Sequence, residues 1–310
     1  MSRTATLQRL TRKMLRAAFT IVLLVTFVFF ALRLTGDPAS AVLPPDAPPE
    51  QVKAFRRLWG LDQSVWHQYL VYFVNIGQGN LGYSFLDGRD ALAVVLEKLP
   101  ATVLLMLAGL GLAIAIGLVA GMICAFYSGS RIDRLIMTAV TAAHAVPSYV
   151  LGVLAILVFG VHMRLLPSGG SGTVGHLIMP ALTIGISGAA TVARYLRASA
   201  ADILGARFVR ASRARGQTWM RIFIRQVLPN AAVPLLTVTG LMLGTLLGGA
   251  VVTENVFAWP GIGKLLVSSV ATRDLAVVQT IVLILGISLV FTNLAVDWLY
   301  TLADPRLRTK

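Results

Sequence analysis

Six long apolar stretches dominate the sequence, separated from one another by more polar segments. A transmembrane helix needs roughly 20 residues, because each residue adds about 1.5 Å along a hydrocarbon core about 30 Å thick. The apolar stretches are residues 17–32, 99–127, 135–161, 177–195, 231–253 and 275–302. The first is somewhat short, so tilt or flanking residues must complete it. The pattern predicts an all-α integral membrane protein with six transmembrane helices.

Proline and glycine positions add detail to these helices. Pro147 interrupts the third stretch, where a proline frees a backbone carbonyl and predicts a kink. Gly117 and Gly121 in the second stretch have the GxxxG spacing that lets two helices approach closely. The fifth stretch repeats that spacing at Gly240, Gly244 and Gly248.

Charge is scarce and unevenly placed. Only 13% of the residues are charged and 56% are hydrophobic, whereas globular proteins have about 25% charged residues. Four places hold 18 of the 27 basic residues: residues 1–16, 131–134, 194–225 and 306–310. They alternate with loops much poorer in basic residues, as the positive-inside rule requires. The net charge of +14 therefore indicates topology and contact with membrane lipid, with both termini cytoplasmic, and not a nucleic-acid partner.

The first hundred residues contain two further segments. Residues 1–16 precede the first apolar stretch as in a signal peptide, but Arg33 follows directly and no Ala-x-Ala site is present. We therefore interpret residues 1–35 as a cytoplasmic N-terminus and a retained first helix. Residues 36–98 hold five basic and seven acidic residues, which predicts an extracytoplasmic segment. Short helices are expected within it at residues 50–59 and 63–76.

Residues 201–230 form a basic, amphipathic segment between the fourth and fifth helices. Helical spacing predicts that Ile203, Leu204 and Phe208 share one face. Gly216 predicts a break between two helices, and Pro229 predicts the end of the second. Six arginines lie in the segment: Arg207, Arg210, Arg213, Arg215, Arg221 and Arg225. One interpretation is that they only fix topology and contact anionic headgroups.

The order of residues in this segment resembles the cytoplasmic EAA loop of ABC importer permeases. That pattern is Glu-Ala-Ala, three residues, Gly, nine residues and Ile-x-Leu-Pro. Four residues match it: Ala211, Gly216, Leu228 and Pro229. Three depart from it: Arg210 stands at the Glu, Ser212 at the second Ala and Gln226 at the Ile. The variant Arg-Ala-Ser-Arg-Ala-Arg-Gly is similar to the dipeptide/oligopeptide/nickel branch, which commonly lacks the Glu.

Shorter segments elsewhere resemble the B-type subunit of the same family. They are Gly-Asp-Pro at 36–38, Gly-Leu-Asp at 60–62, Gly-Asn-Leu-Gly at 79–82, Leu-Pro-Ala-Thr at 99–102, Pro-Ser-Tyr-Val-Leu-Gly at 147–152, Leu-Pro-Ser-Gly-Gly at 166–170, Glu-Asn-Val-Phe at 254–257, Trp-Pro-Gly-Ile-Gly at 259–263, Arg-Asp at 273–274, Asn-Leu-Ala-Val-Asp at 293–297 and Asp-Pro-Arg-Leu-Arg at 304–308. The family usually has Asp where Asn80 stands. The resemblance therefore covers nearly the whole chain.

The resemblance implies a permease subunit of an ABC importer in the bacterial inner membrane. Residues 99–310 would form the core permease domain. The implied partners are a homologous second permease subunit, two ATP-binding subunits and an extracytoplasmic solute-binding protein. Coupling to the ATPases is assigned to Arg207, Arg210, Ala211, Ser212, Arg213, Gly216, Leu228 and Pro229. Short peptides are favoured over nickel as the solute, because the apolar stretches place no two soft ligands clearly together.

The sequence contains few other residues that indicate a nucleotide-binding, metal-binding or proton-transfer site. Gly-Ile-Gly-Lys at 261–264 lacks the first Gly and the Ser/Thr of a Walker A loop, so ATP hydrolysis is expected from partner subunits and not from this chain. No cofactor or metal site is expected. His144 is expected to be a packing histidine, and Asp297 is expected to pair with Arg194 or Arg197. A stand-alone proton-coupled secondary transporter is the alternative function; a membrane-embedded hydrolase is a third.

Overall fold

The computed structural model describes residues 3–34 and 36–303, with side chains at 11–34, 36–232, 235–244 and 248–296. Most of this part of the chain is helical: α1 Arg3–Leu34, α2 Ala39–Val42, α3 Pro49–Leu58, α4 Val65–Gly77, α5 Ala91–Phe126, α6 Arg131–Ala145, α7 Ser148–Ala155, α8 Val174–Leu204, α9 Arg207–Ala214, α10 Trp219–Ile222, α11 Leu228–Val256, α12 Ile262–Ala271 and α13 Leu275–Ala303. Two π-helical segments, Ile156–His162 and Phe223–Val227, follow α7 and α10. Within the described ranges the one β pairing is an isolated bridge between Tyr83 and Asp90. The all-α prediction is confirmed.

Four helices are long and apolar enough to cross a membrane without a break. They are Thr11–Leu34, Ala91–Phe126, Val174–Leu204 and Leu275–Val296. Two bent pairs pass the same test together: Arg131–Ala145 with Ser148–His162, at 96°, and Trp219–Ala232 with Leu235–Gly244, at 55°. Six spans follow for the described residues if each bent pair crosses the membrane once.

The break in the third apolar stretch lies at the proline that predicted it. Helix α6 ends at Ala145 and α7 begins at Ser148. Pro147 has extended backbone angles, φ −55° and ψ 139°, and precedes the first residue of α7. Its ring disfavours helical angles at Val146, which is extended in turn, with ψ 125°. Pro147 and the residue before it therefore account for the kink, which the sequence alone predicted.

The chain divides into two compact units. Of the described residues, the larger unit comprises 102–259 and 291–303. Within it, α8 packs against α6, α7 and α11. A core of buried apolar residues extends from α8 into the segment that precedes α11: Val192, Leu196, Ala200, Val209, Ile222, Phe223, Val227 and Ala231.

Close approach in this larger unit depends on glycine. A Cβ on Gly117 would lie 2.5 Å from the Val192 side chain, and one on Gly121 would lie 2.9 Å from the Ala193 carbonyl oxygen. Real Cβ atoms do not approach so closely, so α5 and α8 would have to separate if either glycine were replaced. The GxxxG spacing in the second apolar stretch is confirmed as a helix contact.

The second unit comprises Ser2–Ala101 and Pro260–Val290. One apolar cluster joins the start of α5 to α12 and α13 through Ala91, Val95, Ile262, Val277 and Ile281. A smaller cluster joins the end of α1 to α13 through Leu32, Leu275 and Val278. The short helices expected at 50–59 and 63–76 are present as α3 and α4, and Pro49 lies in the first turn of α3.

Two local expectations for residues 201–230 are wrong. Ile203 and Leu204 end α8, whereas Phe208 lies in α9, because the helix is interrupted at Gly205 and Ala206. These three residues therefore do not share one helix face. Pro229 does not end a helix; it lies in the first turn of α11, where its missing N–H is tolerated. The π-helical segment just before it widens the turn that the proline ring would otherwise crowd.

Candidate functional site

Helix α9 is the core of the segment singled out by the sequence. It is bounded by a break at each end: Ala206 has an extended conformation before it, and Gly216 follows it with φ +77°. Arg207, Arg210 and Ala211 lie on its exposed side, as expected for residues that would contact a partner. The side chain of Phe208 is 48% exposed beside them. Helix α9 thus presents both cationic and aromatic surface to its surroundings.

Two side chains of α9 face inward. Val209 is fully buried in the core cluster that also contains Leu196 of α8 and Val227 before α11. Ser212 is 2% exposed, although the sequence analysis grouped it with surface coupling residues. The helix is therefore anchored to the ends of two apolar helices and is not a loose surface loop.

Gly216 ends α9 with a recognisable hydrogen-bond pattern. Its N–H donates to the Arg213 carbonyl at 2.8 Å, and the Gln217 N–H donates to the Ser212 carbonyl at 3.2 Å. This pair of bonds around a left-handed residue is the Schellman motif. The break predicted at Gly216 is present, and the positive φ explains why glycine suits the position.

Arg213 links the two sides of this turn. Its guanidinium carbon lies 4.0 Å from the centroid of the Trp219 ring on α10. Trp219 in turn makes an edge contact with Phe126 at the end of α5, and Phe126 packs against Phe223. A cation over an aromatic face is stabilising. Arg213 therefore braces α9 against α10, although it is exposed like Arg207 and Arg210.

Ser212 is also the centre of a small polar network. Gln226 Nε2 donates to its Oγ at 2.8 Å, and Arg215 Nη2 donates to the same oxygen at 3.1 Å. The Gln226 amide also lies 3.4 Å from Gln217 Oε1. Ser212 and Gln226 stand at two separate departures from the family pattern in the sequence, and the fold brings them into contact. Leu228 is half-buried against the same core, and Pro229 begins α11.

A charged pair lies in the same unit, near the start of α6. Arg197 donates from Nε and Nη2 to the two carboxylate oxygens of Asp133, both at 2.6 Å. Asp133 is 1% exposed and also accepts from the Gly129 N–H at 2.9 Å. Arg197, one of the two arginines expected as partners of Asp297, pairs with Asp133. The side chain of Asp297 lies outside the described residues.

His144 occupies the last turn of α6, next to the bend. Its Nδ1 lies 2.7 Å from the Ser187 carbonyl oxygen, and since a carbonyl only accepts, Nδ1 carries the proton. The ring lines a cavity of about 220 Å³ between α6, α7, α8 and α11 together with Ser148, Ser187, Thr191, Met242 and Thr253. Within the described residues no group of three His, Cys, Asp or Glu side chains is placed to hold a metal ion.

Several short segments that resembled a family are far apart in the chain but meet around Phe257. Gly170 donates its N–H to the Phe257 carbonyl at 2.8 Å. The buried Phe257 ring lies against Gly152. Nearby in the chain, the buried carboxylate of Glu254 accepts a 2.6 Å hydrogen bond from Thr102. These segments serve the packing of one region of the larger unit.

In the second unit, too, segments that are far apart in the chain are joined by hydrogen bonds. Arg273 Nη1 donates to the Asp37 carbonyl at 3.1 Å and to Ser40 Oγ at 2.8 Å. The next residue, Asp274, accepts a short hydrogen bond from Ser84. Burial raises the pKa of the Asp274 carboxyl, against hydrogen bonds from Ser84 and two backbone N–H groups that lower it. The C-terminal segment 304–308 lies outside the described residues.

Comparison with known proteins decides the family. A model described as "Binding-protein-dependent transport system inner membrane component" matches residues 117–309. A second, for the N-terminal part of such membrane components, matches residues 6–106. The chain belongs to this family. It is an inner-membrane permease component of an ABC importer of the peptide/nickel type.

Relatives of this permease cover almost its full length. The glutathione transport system permease protein GsiC of Escherichia coli O6:H1 (strain CFT073) is 38% identical over 292 residues, which are 94% of each chain. GsiC of Escherichia coli strain K12 is 37% identical over the same length and share. These relatives are permease components and not enzymes.

Solved structures share the fold of the permease. An inward-facing structure of the MetNI methionine ABC transporter matches with a TM-score of 0.57 and 23% identity, over 68% of this chain and 96% of that one. An amino acid ABC transporter crystallised with histidines matches with a TM-score of 0.51 and 16% identity, over 67% and 94%. The all-α permease fold is thus shared, although the sequences have diverged widely.

Sequence reasoning missed the residues that hold α9 in place. Val209 and Trp219 carried a signal, since both are apolar residues within a basic segment. The contact between Ser212 and Gln226 carried none, because it depends on the direction in which the chain leaves Gly216. The Asp133–Arg197 pair was missed because the two residues lie 64 positions apart in the chain and no local pattern joins them.

Proposed function

We propose that this permease forms the pathway by which short peptides enter the cytoplasm, and that α9 couples it to ATP-hydrolysing partner subunits. The observation that carries the coupling role is the division of α9 into two faces. Arg207, Phe208 and Arg210 are exposed, whereas Val209 is buried in the apolar core that contains residues of α8 and α11, and Ser212 is buried with a hydrogen bond to Gln226. A partner protein that binds the exposed face of α9 therefore moves the adjoining ends of α8 and α11.

The exposed face suits a helix-in-groove contact with the ATPase. Phe208 supplies an apolar anchor, and the flanking arginines supply positive charge. Arg210 stands where the family pattern has Glu, so the groove that receives it should be acidic at that point. A complementary groove would position α9 and select the cognate ATPase.

The buried side of α9 supports transmission of the movement. The Schellman turn at Gly216, the Arg213–Trp219 contact and the Ser212–Gln226 hydrogen bond all join α9 to the segment before α11. When the ATPases close on ATP, α9 moves with them as a rigid lever. The pathway then opens toward the extracytoplasmic side.

Reversal of one exposed charge tests this docking. Arg210→Glu in the purified transporter complex should strongly lower solute-stimulated ATP hydrolysis, because the substitution opposes the proposed acidic groove. Arg221→Glu makes the same charge change at an exposed residue of α10 and should leave the activity near that of the parent. Equal activity of the Arg210→Glu complex and the parent would remove α9 from the coupling path.

The complete importer would contain a second, homologous permease subunit, two ATP-binding subunits and an extracytoplasmic solute-binding protein. The proposed domains are residues 1–35, the extracytoplasmic segment 36–98 and the core 99–310. Both termini and residues 201–230 would face the cytoplasm. A membrane-impermeant thiol reagent checks this in a Cys124→Ala background: Asp46→Cys and Ser171→Cys should be labelled in intact cells, whereas labelling of Thr218→Cys would overturn the topology.

Short peptides are the proposed solute for two reasons. The GsiC relatives are named for glutathione transport, and glutathione is a tripeptide. The cavity beside His144 has a mostly apolar wall with a few hydroxyls and one imidazole, which suits a small organic solute better than a metal ion held by fixed ligands. Calorimetric titration of the cognate binding protein with short peptides, reduced glutathione and nickel, free and chelated, tests the solute. Binding of nickel without any peptide would overturn the choice.

A further inference from the structure

Helix α4 lies alongside the last turns of the first membrane-spanning helix, on the membrane side of Leu34, where that span ends. The Thr26 hydroxyl and the Tyr69 phenol are 2.9 Å apart, and the rings of Phe30 and Trp66 meet at 5.4 Å between centroids. Thr26 precedes Leu34, the end of the span, by eight residues, or about 12 Å of helix. Helix α4 therefore reaches the depth of the acyl chains, although it is too short to cross a membrane.

The outward side of α4 is apolar. Trp66, Leu70 and Val74 recur every fourth residue and so form one ridge along the helix. Their exposed fractions are 69%, 64% and 58%. A ridge of this kind is unfavourable in water but suits contact with acyl chains, and the indole of Trp66 suits the interface.

A basic cavity opens beside the first turn of α4. It has a volume of about 690 Å³, and Val65, the first residue of α4, is part of its wall. Its charged lining residues are Arg33, Lys53, Arg56, Arg57, Asp37 and Asp62. Four cations against two anions give this cavity a positive charge, whereas residues 36–98 as a whole carry more acidic than basic groups. The fold has concentrated positive charge at one place.

Two of the four cations are already engaged. Arg33 donates to Gln68 Oε1 from Nε and Nη2, at 3.0 and 2.9 Å, and Arg56 pairs with Asp37. The Arg57 side chain makes no hydrogen bond or ion pair within the described part of the chain. Lys53 has only an exposed contact of 3.6 Å with Glu50. Arg57 and Lys53 thus remain available for an anion.

We propose that this cavity binds the phosphate of an anionic phospholipid, whose acyl chains lie along the Trp66–Leu70–Val74 ridge. Guanidinium and ammonium groups bind phosphate through charge-assisted hydrogen bonds. The ridge at acyl-chain depth distinguishes a lipid from a free anion, which would gain nothing from it. The extracytoplasmic leaflet as the source follows from the proposed topology; the binding of lipid itself does not depend on that topology or on transport.

Native mass spectrometry of the full-length chain in detergent tests the proposal. The chain is titrated with phosphatidylglycerol and with phosphatidylcholine of the same acyl chains. We expect phosphatidylglycerol to bind more tightly, and Lys53→Gln/Arg57→Gln to weaken that binding by about tenfold or more. Arg89→Gln/Lys98→Gln removes the same charge from the same segment outside the cavity and should bind like the parent.

A second comparison separates the lipid from a free anion. Leu70→Gln should weaken phosphatidylglycerol binding, and inorganic phosphate at millimolar concentration should not displace the lipid. The proposal is overturned if the two charge-removing variants behave alike, if phosphatidylcholine binds as tightly as phosphatidylglycerol, or if Leu70→Gln has no effect while phosphate displaces the lipid. Thermal unfolding of each variant, matched to that of the parent, establishes that each is folded.

Discussion

Gln226 donates a 2.8 Å hydrogen bond to the hydroxyl of Ser212, and so joins α9 to the segment that leads into α11. These residues stand at two of the three positions that depart from the family pattern, where Ile and Ala are usual. Either departure alone would leave a polar group facing an apolar core, at a cost in stability. The hydrogen bond gives each residue a partner and replaces the apolar contact expected from the pattern, although Gln226 Oε1 is buried without a hydrogen-bond partner among the described residues.

The first prediction concerns this pair. Ser212→Ala should lower the free energy of unfolding of the larger unit by about 1–2 kcal/mol, because the Gln226 amide loses its short hydrogen bond and keeps only the 3.4 Å contact with Gln217. Gln226→Ile alone should also destabilise, since it leaves the Ser212 hydroxyl with fewer partners. The double variant restores both usual residue types and should recover most of the loss. Thermal unfolding of the four proteins in detergent measures the coupling; simple additivity of the two losses would show that the contact is incidental.

The second prediction concerns the turn after α9. Gly216→Val should distort the turn and uncouple ATP hydrolysis from transport, because a β-branched residue resists φ +77°. No atom lies within 4 Å of a Cβ at this position, so the effect must arise from the backbone and not from a clash. Gly216→Asn is the matched control, since asparagine tolerates the left-handed region, and it should retain most of the coupled activity. Equal activity in the two variants would argue against a strained turn.

The third prediction concerns the buried charge near α6. Arg197→Ala should destabilise the chain by about 3 kcal/mol, because Asp133, 1% exposed, loses its bidentate partner. Arg197→Lys should restore only part of this loss, since an ammonium group cannot donate to both oxygens in the same planar geometry. Arg194→Ala removes an exposed arginine from the same helix and should have little effect. Chemical unfolding of the three variants decides between a structural pair and two independent surface charges.

The fourth prediction concerns pH and Asp274, whose pKa is raised by burial. Since the folded pKa lies above the unfolded one, the folded chain binds the proton more tightly, and stability falls as pH rises through the raised pKa. Asp274→Asn should therefore be more stable than the parent at pH 7, and the difference should disappear towards about pH 4, near the unfolded pKa. Asp46→Asn, at an exposed site of the same unit, should show no such change. Thermal unfolding across this range provides the test, and a difference that does not vary with pH would contradict it.

The sequence predicted those features that depend on local patterns. Apolar length predicted the long helices, Pro147 predicted the bend after α6, and Gly216 predicted the end of α9. The prediction that Pro229 ends a helix was wrong, because proline is also favoured in the first turn of a helix. Only the preceding π-helical segment decides between these two outcomes. Contacts across a turn, such as Ser212 with Gln226, could not be predicted, because they depend on the path of the backbone between them.

The basic cavity is a second feature that the sequence alone could not predict. Its lining residues come from α1, α3, α4, the start of α13 and the loops between them, and the sequence showed only that residues 36–98 as a whole are slightly acidic. The short helix at residues 63–76 was expected, and it is present as α4. Its depth beside Thr26 became visible only through the contact with Tyr69.

The most direct test of the proposed coupling is uptake by the reconstituted importer. Proteoliposomes containing this permease with its partner subunits, with ATP inside the vesicles and binding protein outside, should accumulate peptide only when both are present, and a protonophore should not prevent uptake. Gly216→Val should abolish that uptake while the complex remains assembled. Peptide accumulation by the permease alone, driven by a proton gradient and stopped by a protonophore, would contradict the account.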